Sequence, residues 1–233
     1  VDLIVVDHYS IDNRWEKKLR LNSKKIMVID DLADRSHDCD ILLDQNLIKN
    51  YESRYDNLIP IKCTTLLGPK YALLQDEYQR LHKHSKPRIR NIKRILIFFG
   101  GSDQNNLTGL TLSIFLKLNR PDIKLDIVLD SKSKYKNEIQ AMIKQHSNIA
   151  MYSNLPSIAY LMHKADLSIG AGGSTTWERC CLGLPAILIV TGLNQEKIAA
   201  SMKSNGAALI LKLNIDLEKN ILEALRYVLE DKD

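Results

Sequence analysis

Short apolar runs alternate with longer amphipathic stretches along most of the chain. Short apolar runs bounded by turn residues are typical of buried strands, and a recurring apolar face at helical spacing is typical of helices. The apolar runs predict strands over 3–6, 25–29, 41–43, 64–67, 94–99, 125–129, 149–152, 167–170, 186–190 and 208–211. The amphipathic stretches predict helices over 11–22, 105–117, 135–145, 156–163, 174–182, 194–204 and 217–229. This alternation indicates βαβ units and therefore an α/β fold with parallel sheets.

A polar, basic segment, LHKHSKPRIRNIKR at 81–94, separates two apolar-rich regions and is the best candidate for a linker. It predicts one domain at 1–85 and a second, complete doubly wound domain at 86–233. The last helix either belongs to the second domain or packs back on the first. The first six residues have the composition of a buried parallel strand with nothing before it. We therefore expect the first domain to be incomplete and the chain to be the remainder of a larger protein.

Composition narrows the class of protein without identifying it. The 233 residues are 45% hydrophobic and 26% charged, which is ordinary for a soluble globular protein. No apolar run is long enough to span a membrane, and the first residues lack the pattern of a signal peptide, so we expect a cytoplasmic protein without a membrane partner. The formal charge of +5 is scattered and not interleaved with aromatic residues, which argues against nucleic acid. The cysteines form no C-x-x-C pair, so we expect no structural metal.

The segment GAGGSTTWERCCLGLPAILIV at 170–190 contains a glycine-rich corner between a predicted strand and a predicted helix. Backbone amides at such a corner suit an anion, usually a phosphate, but the same corner also serves as a tight turn that holds nothing. Gly172 and Gly173 would let a ligand approach the backbone closely. Ser174 is a suitable N-cap, and its hydroxyl is available either to the helix or to a phosphate. Glu178, one turn further, either accepts hydrogen bonds from ribose hydroxyls or is an ordinary first-turn glutamate.

A second glycine corner, FFGGSDQNN at 98–106, also ends a strand and precedes a helix, where Asp103 or Asn105 would serve as a cap. Two such corners in one domain favour a nucleotide site. Their spacing matches neither the dinucleotide fingerprint nor the P-loop, which disfavours NAD and ATP. His8 invites an interpretation as a general base because histidine titrates near neutral pH, but a lone histidine at the end of a strand is more often structural.

Four segments together resemble a known family: LIVVDHYSID (3–12), KIMVIDDLADRSHDCDILLDQNL (25–47), FFGGSDQNNLT (98–108) and GAGGSTTWERCCLGLPAILIVTGLNQ (170–195). The family is the UDP-sugar hydrolases of pseudaminic acid biosynthesis, which release UDP from UDP-2,4-diacetamido-2,4,6-trideoxy-β-L-altropyranose. The DDLADR and DQN runs point to this family. The GAGGST…E…GLP run is shared more broadly with the UDP-GlcNAc transferase of peptidoglycan synthesis.

The resemblance implies a glycosyltransferase-B type fold of two Rossmann-like doubly wound parallel-sheet domains, with UDP held mainly by the second. We expect no cofactor, and no acidic cluster in the sequence demands a metal. Site residues carried over by motif are Tyr9, Asn106, Gly173, Ser174, Thr175, Glu178 and Asn194. Gly173, Ser174 and Thr175 would face the diphosphate and Glu178 the ribose. Asn106 would approach the nucleotide, and Tyr9 and Asn194 would face the sugar. We expect a monomer whose partners are the UDP-sugar substrate and the UDP product.

The chain departs from the family at one point that matters for activity. The histidine proposed as the family's base lies in a glycine-rich loop near the start of the first domain, and that loop has no counterpart here, so the general base is not identified; His8 belongs to a neighbouring motif. The resemblance implies attack of water on the anomeric carbon with inversion. The alternatives are a UDP-sugar glycosyltransferase and a catalytically incomplete nucleotide-binding fragment.

Overall fold

The computed structural model describes residues 1–88, 91–101 and 103–230, apart from the side chains of Leu193 and Asn194. The chain divides into two compact units, Val1–Leu73 and Leu74–Asp233. Each unit contains its own parallel sheet, four-stranded in the first and six-stranded in the second. The strands lie where the alternating pattern predicts them, and the two parallel sheets confirm the expected α/β class.

The sheet of the first unit has the strand order β1-β2-β3-β4, the same as the order along the chain. Each strand is therefore added on the same side of the one before it, as in one half of a doubly wound sheet. Its strands are β1 (Leu3–Asp7), β2 (Lys25–Ile29), β3 (Ile41–Asp44) and β4 (Thr64–Leu67), with helix α1 (Asn13–Leu19) between β1 and β2. Helix α1 begins later than predicted because the side chain of Asp12 accepts a hydrogen bond from the amide of Arg14 and caps the first turn. The prediction of a buried first strand is wrong: Leu3 and Val5 are exposed, and Ile4 and Val6 face the core.

The second unit has a sheet of order β10-β9-β8-β5-β6-β7 in which all neighbours are parallel. Its strands are β5 (Arg94–Phe98), β6 (Lys124–Val128), β7 (Ile149–Tyr152), β8 (Leu167–Ala171), β9 (Ala186–Val190) and β10 (Ala208–Lys212). Its helices are α2 (Asp76–His82), α3 (Leu107–Lys117), α4 (Lys136–Ile143), α5 (Ala159–Lys164), α6 (Thr175–Cys181), α7 (Leu193–Ser204) and α8 (Leu217–Leu229).

Apolar cores lie on both faces of this second sheet. Ile95 and Ile97 of β5 pack into a cluster that includes residues of α3 and α8, whereas Leu96 between them packs into a cluster that includes residues of α2 and α5. Successive side chains of a strand point to opposite faces, so the continuous apolar sequence of β5 reflects burial on both sides.

Two features differ from the sequence-based expectations. Helix α2 lies in a polar stretch with no predicted helix, and it packs against α5 and α6. Its contacts place the division between units after Leu73, earlier than the polar segment at 81–94. The last helix, α8, packs against α3 and β10 and buries Leu217, Ile221 and Leu225 in the core of the second unit.

Across the described residues, none of the helices is both long and apolar enough to span a lipid bilayer.

Candidate functional site

The strand order of the second sheet reverses between β5 and β8. From β5 the chain proceeds outward through β6 and β7, then returns to place β8 on the other side of β5. In open parallel sheets, ligands bind outside the carboxyl ends of the strands at such a switch point. The segments that follow β5 and β8 are the two glycine corners, so the fold brings together the two motifs that the sequence singles out.

Gly170 lets β8 lie against β5 at this switch point. It is in register with Phe98, and a Cβ atom on Gly170 would lie 2.0 Å from the carbonyl oxygen of Phe98 and 2.5 Å from Nη2 of Arg179. Contacts this short to backbone cannot be relieved by a small side-chain adjustment. A residue larger than glycine would therefore separate the two strand ends that carry the glycine corners.

The turn after β8 is open above Gly173. A Cβ atom on Gly173 would meet nothing within 4 Å, whereas one on Gly172 would contact Gln195 at 3.6 Å. In the first turn of α6, the amide of Thr176 donates to the carbonyl of Gly173 and the amide of Trp177 donates to the carbonyl of Ser174. Within the described part of the chain, the amides of Gly173, Ser174 and Thr175 donate to no backbone carbonyl in the turns and caps. They are therefore available to an acceptor from outside the protein.

Ser174 occupies the N-cap position of α6, as predicted, but its side chain makes no capping hydrogen bond. The residue is exposed, so its hydroxyl points to solvent beside the open turn. Of the two roles that the sequence leaves open for this hydroxyl, the capping role is not used in this structure.

Glu178 lies one turn along α6 from Ser174 and is partly buried. Its Oε2 atom is buried and, in the described part of the chain, has no hydrogen-bond partner. Burial raises the pKa of Glu178, although a hydrogen bond with Tyr78 opposes that rise. An ordinary first-turn glutamate is solvated, so a buried carboxylate oxygen without a partner favours the ligand-binding interpretation.

The corner after β5 is organised by two caps at the start of α3. The buried carboxylate of Asp103 accepts hydrogen bonds from the amides of Leu107 and Thr108 at 2.8 and 2.9 Å. Asn106 adopts a left-handed backbone conformation, and its Oδ1 accepts a hydrogen bond from the amide of Gly109 at 3.1 Å. The exposed Asn105 has no such role in the described part of the chain. The first amides of α3 are thus satisfied internally, in contrast to those of the turn after β8.

The two residues assigned to the sugar lie in different units. Tyr9 follows β1 in the first unit and is 62% exposed. Its pKa is raised, chiefly by the negative charge of Asp31 and then by partial burial. Asn194 belongs to α7 in the second unit, and its side chain lies outside the described residues.

His8, the histidine next to Tyr9, has a local role. Its Nδ1 atom accepts a hydrogen bond from the amide of Ser10 at 3.0 Å, and the residue is exposed. This contact agrees with the structural interpretation of His8.

Two buried residues that the sequence analysis did not single out lie beside Glu178: Arg179 follows it in α6, and Tyr78 forms a hydrogen bond with it. Arg179 is 2% exposed, and burial lowers its pKa to about 10. Tyr78 of α2 is 1% exposed, and burial together with the charge of Glu178 raises its pKa beyond the usual range of a phenol. The sequence offers little to reveal them, because a single arginine in a short helix and a tyrosine in a polar stretch are common on protein surfaces.

Comparison with known proteins agrees with this geometry. Residues 95–233 match the glycosyltransferase family 28 C-terminal domain. The chain belongs to this family. The match begins in β5 and includes both glycine corners, Glu178 and Arg179.

Individual relatives extend the similarity beyond the family 28 domain. The chain is 32% identical over 196 residues to an uncharacterized protein of Methanocaldococcus jannaschii, covering 81% of this chain but 40% of that protein. It is 30% identical over 206 residues to the UDP-2,4-diacetamido-2,4,6-trideoxy-beta-L-altropyranose hydrolase of Campylobacter jejuni, covering 88% of this chain and 72% of the hydrolase.

Among solved structures, a putative UDP-N-acetylglucosamine 2-epimerase from Listeria monocytogenes matches with a TM-score of 0.65 at 12% identity. The match covers 100% of this chain and 67% of the epimerase. At this level of identity the likeness concerns the fold, and it agrees with the glycosyltransferase-B type architecture.

Proposed function

We propose that this protein hydrolyses a UDP-linked diacetamido-trideoxy sugar to the free sugar and UDP, as a step in pseudaminic acid biosynthesis. The observation that carries the proposal is the pairing of an open glycine turn with a buried, unpartnered carboxylate oxygen of Glu178 at the switch point of the second sheet. The similarity to the Campylobacter hydrolase across both units supports the choice of reaction.

The roles in nucleotide binding follow from the geometry of the turn. The free amides of Gly173, Ser174 and Thr175, with the hydroxyl of Ser174, suit the oxygens of a diphosphate. The carboxylate of Glu178, one turn beyond, suits the two ribose hydroxyls, which are donors that its Oε2 atom lacks in the free protein. Asn106, in the corner that follows β5, would approach the nucleotide with its amide nitrogen because its oxygen caps α3.

Stabilisation of the leaving group matters more to this reaction than the strength of the nucleophile. Water attacks the anomeric carbon and releases a proton, the bond from that carbon to the phosphate oxygen breaks with its electron pair going to UDP, and UDP leaves with inversion at the carbon. Negative charge develops on the diphosphate as the bond breaks. Amides fixed at the turn stabilise this charge without reorganising, which is the electrostatic contribution that lowers such barriers most.

Tyr9 and Asn194 are proposed to face the sugar. Their phenol and amide groups can donate and accept hydrogen bonds with the acetamido and hydroxyl substituents. We assign the general base to no residue of this chain. Tyr9→Phe and Asn194→Ala are expected to slow turnover more than they weaken UDP affinity, and the opposite pattern would count against their placement beside the sugar.

A second candidate is sugar transfer to an acceptor, which the match to a glycosyltransferase family favours. The two reactions share the same nucleotide site and differ in what attacks the anomeric carbon. The decisive assay incubates this protein with the UDP-sugar in water and measures UDP and free sugar. Free sugar equal in amount to UDP supports the hydrolase, and turnover that requires an added acceptor supports the transferase. UDP binding without any turnover would indicate a nucleotide-binding fragment.

A further inference from the structure

Arg179 ties together the ends of the two strands that carry the glycine corners. Its Nη1 donates to the carbonyl of Ala171 at 2.9 Å, at the end of β8, and its Nη2 donates to the carbonyl of Phe98 at 3.4 Å, at the end of β5. Its Nε donates to the hydroxyl of Ser168 at 3.1 Å. The guanidinium therefore lies against the ends of β5 and β8, and its contact with Ala171 is to the residue just before the turn that begins at Gly172.

The acceptors that hold Arg179 carry no formal charge. They are two carbonyls and a hydroxyl, and no carboxylate lies within ion-pair distance of Arg179 among the residues that the structure describes. The neighbouring Glu178 acts on it only as a charge without direct contact. Arg179 nevertheless remains cationic at neutral pH, since a pKa of about 10 leaves the guanidinium protonated. A buried positive charge without a partner is costly, so its retention calls for an explanation.

We propose that Arg179 is a positioning residue of the nucleotide site: it holds the strand end that precedes the glycine turn and supplies the positive charge that the bound diphosphate neutralises. This inference rests on the proposed function, because it requires that an anion occupy the turn. Arg179 does not touch the ligand in this scheme. It acts through the carbonyl of Ala171, which precedes the turn, and through the electrostatic field of its buried charge.

The competing explanation is that Arg179 only joins β5 to β8. Both explanations predict that removing the side chain reduces stability. They differ in ligand selectivity, because a positive charge next to the turn affects the binding of a diphosphate and not that of an uncharged nucleoside. UDP and uridine share the base and ribose, so comparing them isolates the contribution of the diphosphate.

The test measures affinity for UDP and for uridine with the wild-type protein, Arg179→Met and Arg179→Lys, together with thermal unfolding of each. Methionine retains length without charge, and lysine retains charge without the three-way hydrogen bonding. We expect Arg179→Met to weaken UDP binding by at least about tenfold, equivalent to about 1.4 kcal/mol. Uridine affinity should remain unchanged, and Arg179→Lys should recover most of the preference for UDP. Equal losses for UDP and uridine, or no loss for either, would overturn the role of the charge.

A further variant keeps the inference testable if Arg179→Met does not fold. Ser168→Ala removes one acceptor and leaves the charge in place, so it should lower the melting temperature while keeping the ratio of UDP to uridine affinity. A selective loss of UDP binding in Ser168→Ala or in Arg179→Lys would show that hydrogen bonding, not charge, is responsible. Failure of the wild-type protein to bind UDP would overturn the proposed function itself. Normal UDP binding by a folded Arg179→Met would overturn only this inference.

Discussion

The Oδ1 atom of Asn106 accepts a hydrogen bond from the amide of Gly109 at 3.1 Å, which makes this residue the cap of α3. A Cβ atom on Gly109 would lie 2.5 Å from that oxygen, so the glycine leaves room for the cap. The residue that the family resemblance assigns to the nucleotide thus has a structural task as well. Only its amide nitrogen remains to recognise a ligand.

Asn106→Asp separates these two tasks. Aspartate keeps the capping oxygen, so we expect the free energy of unfolding to change by no more than about 0.5 kcal/mol. It replaces the donor with negative charge, so UDP affinity should fall by about tenfold if Asn106 approaches the diphosphate. Calorimetry and thermal unfolding measure the two quantities. Asn105→Asp is the matched control, because it adds the same charge at an exposed neighbour. If Asn106→Asp binds UDP as tightly as this control, Asn106 serves only as the cap of α3.

Gly170→Ala and Gly173→Ala form a second pair with opposite expectations. Alanine at Gly170 would collide with the backbone of β5, so we expect a loss of about 1–3 kcal/mol in the free energy of unfolding. Alanine at Gly173 meets open space, so stability should be unchanged. If a diphosphate lies against this turn, the added methyl group should weaken UDP binding by about tenfold. Urea denaturation and calorimetry report these effects, and undiminished UDP affinity in Gly173→Ala would argue that the ligand lies elsewhere.

Glu178→Gln is expected to raise the free energy of unfolding at neutral pH. Burial raises the pKa of Glu178 above its ordinary value of 4.5, so the folded state favours the protonated carboxyl. The stabilisation that the protonated carboxyl provides is complete below the unfolded-state pKa and is lost as the pH rises through the folded-state pKa. Glutamine does not ionise, so Glu178→Gln should be more stable than wild type at neutral pH. This difference in the free energy of unfolding should shrink as the pH falls toward 4.5. Urea denaturation at several pH values tests this, with the exposed Glu138→Gln as control; a gain that does not depend on pH would be contrary to this account.

The same substitution is expected to weaken UDP binding by about 1–3 kcal/mol, the cost of losing a charged hydrogen-bond partner. Because the ionised carboxylate is the better acceptor for ribose hydroxyls, wild-type affinity should fall as the pH is lowered through the raised pKa of Glu178. UDP has a phosphate that also titrates, so calorimetry should compare wild type with Glu178→Gln at each pH. The difference between the two proteins should disappear at low pH, and parallel pH profiles would remove Glu178 from the nucleotide site.

In the first unit, Cys63 is expected to be the more reactive member of a thiol pair. Its sulfur lies 3.6 Å from that of Cys39, and the hydrogen bond from Cys39 lowers the pKa of Cys63 while the pKa of Cys39 is raised. Iodoacetamide should therefore modify Cys63 before Cys39, because the thiolate is the nucleophile. Peptide mass mapping identifies the modified residue. In Cys39→Ala the rate at Cys63 should fall, since the donor that stabilises its thiolate is gone, and an unchanged rate would contradict this explanation.

Much of the fold follows from local sequence pattern. The apolar run of β5 and the glycine corner after β8 predict a strand and a turn from properties of adjacent residues, and the structure confirms both. Helix α2 could not be predicted this way, because its position depends on burying Tyr78 against α5 and α6, which are remote in sequence. Ser174 and Glu178 could be placed near each other from helical periodicity alone.

The sequence by itself determined that this is an α/β protein with a glycine-rich corner between a strand and a helix, because strand, helix and turn preferences are set by near neighbours. Only the tertiary structure decided which amides and carboxylates remain unpaired. Asp103 accepts hydrogen bonds from the first amides of α3, whereas the amides of Gly173, Ser174 and Thr175 donate to no backbone carbonyl in the turns and caps of the described residues. Likewise, the sequence pattern did not single out Arg179, which is buried where β5 and β8, distant along the chain, are paired. Burial and hydrogen-bond satisfaction depend on which strands the fold brings together, and no local pattern contains that information.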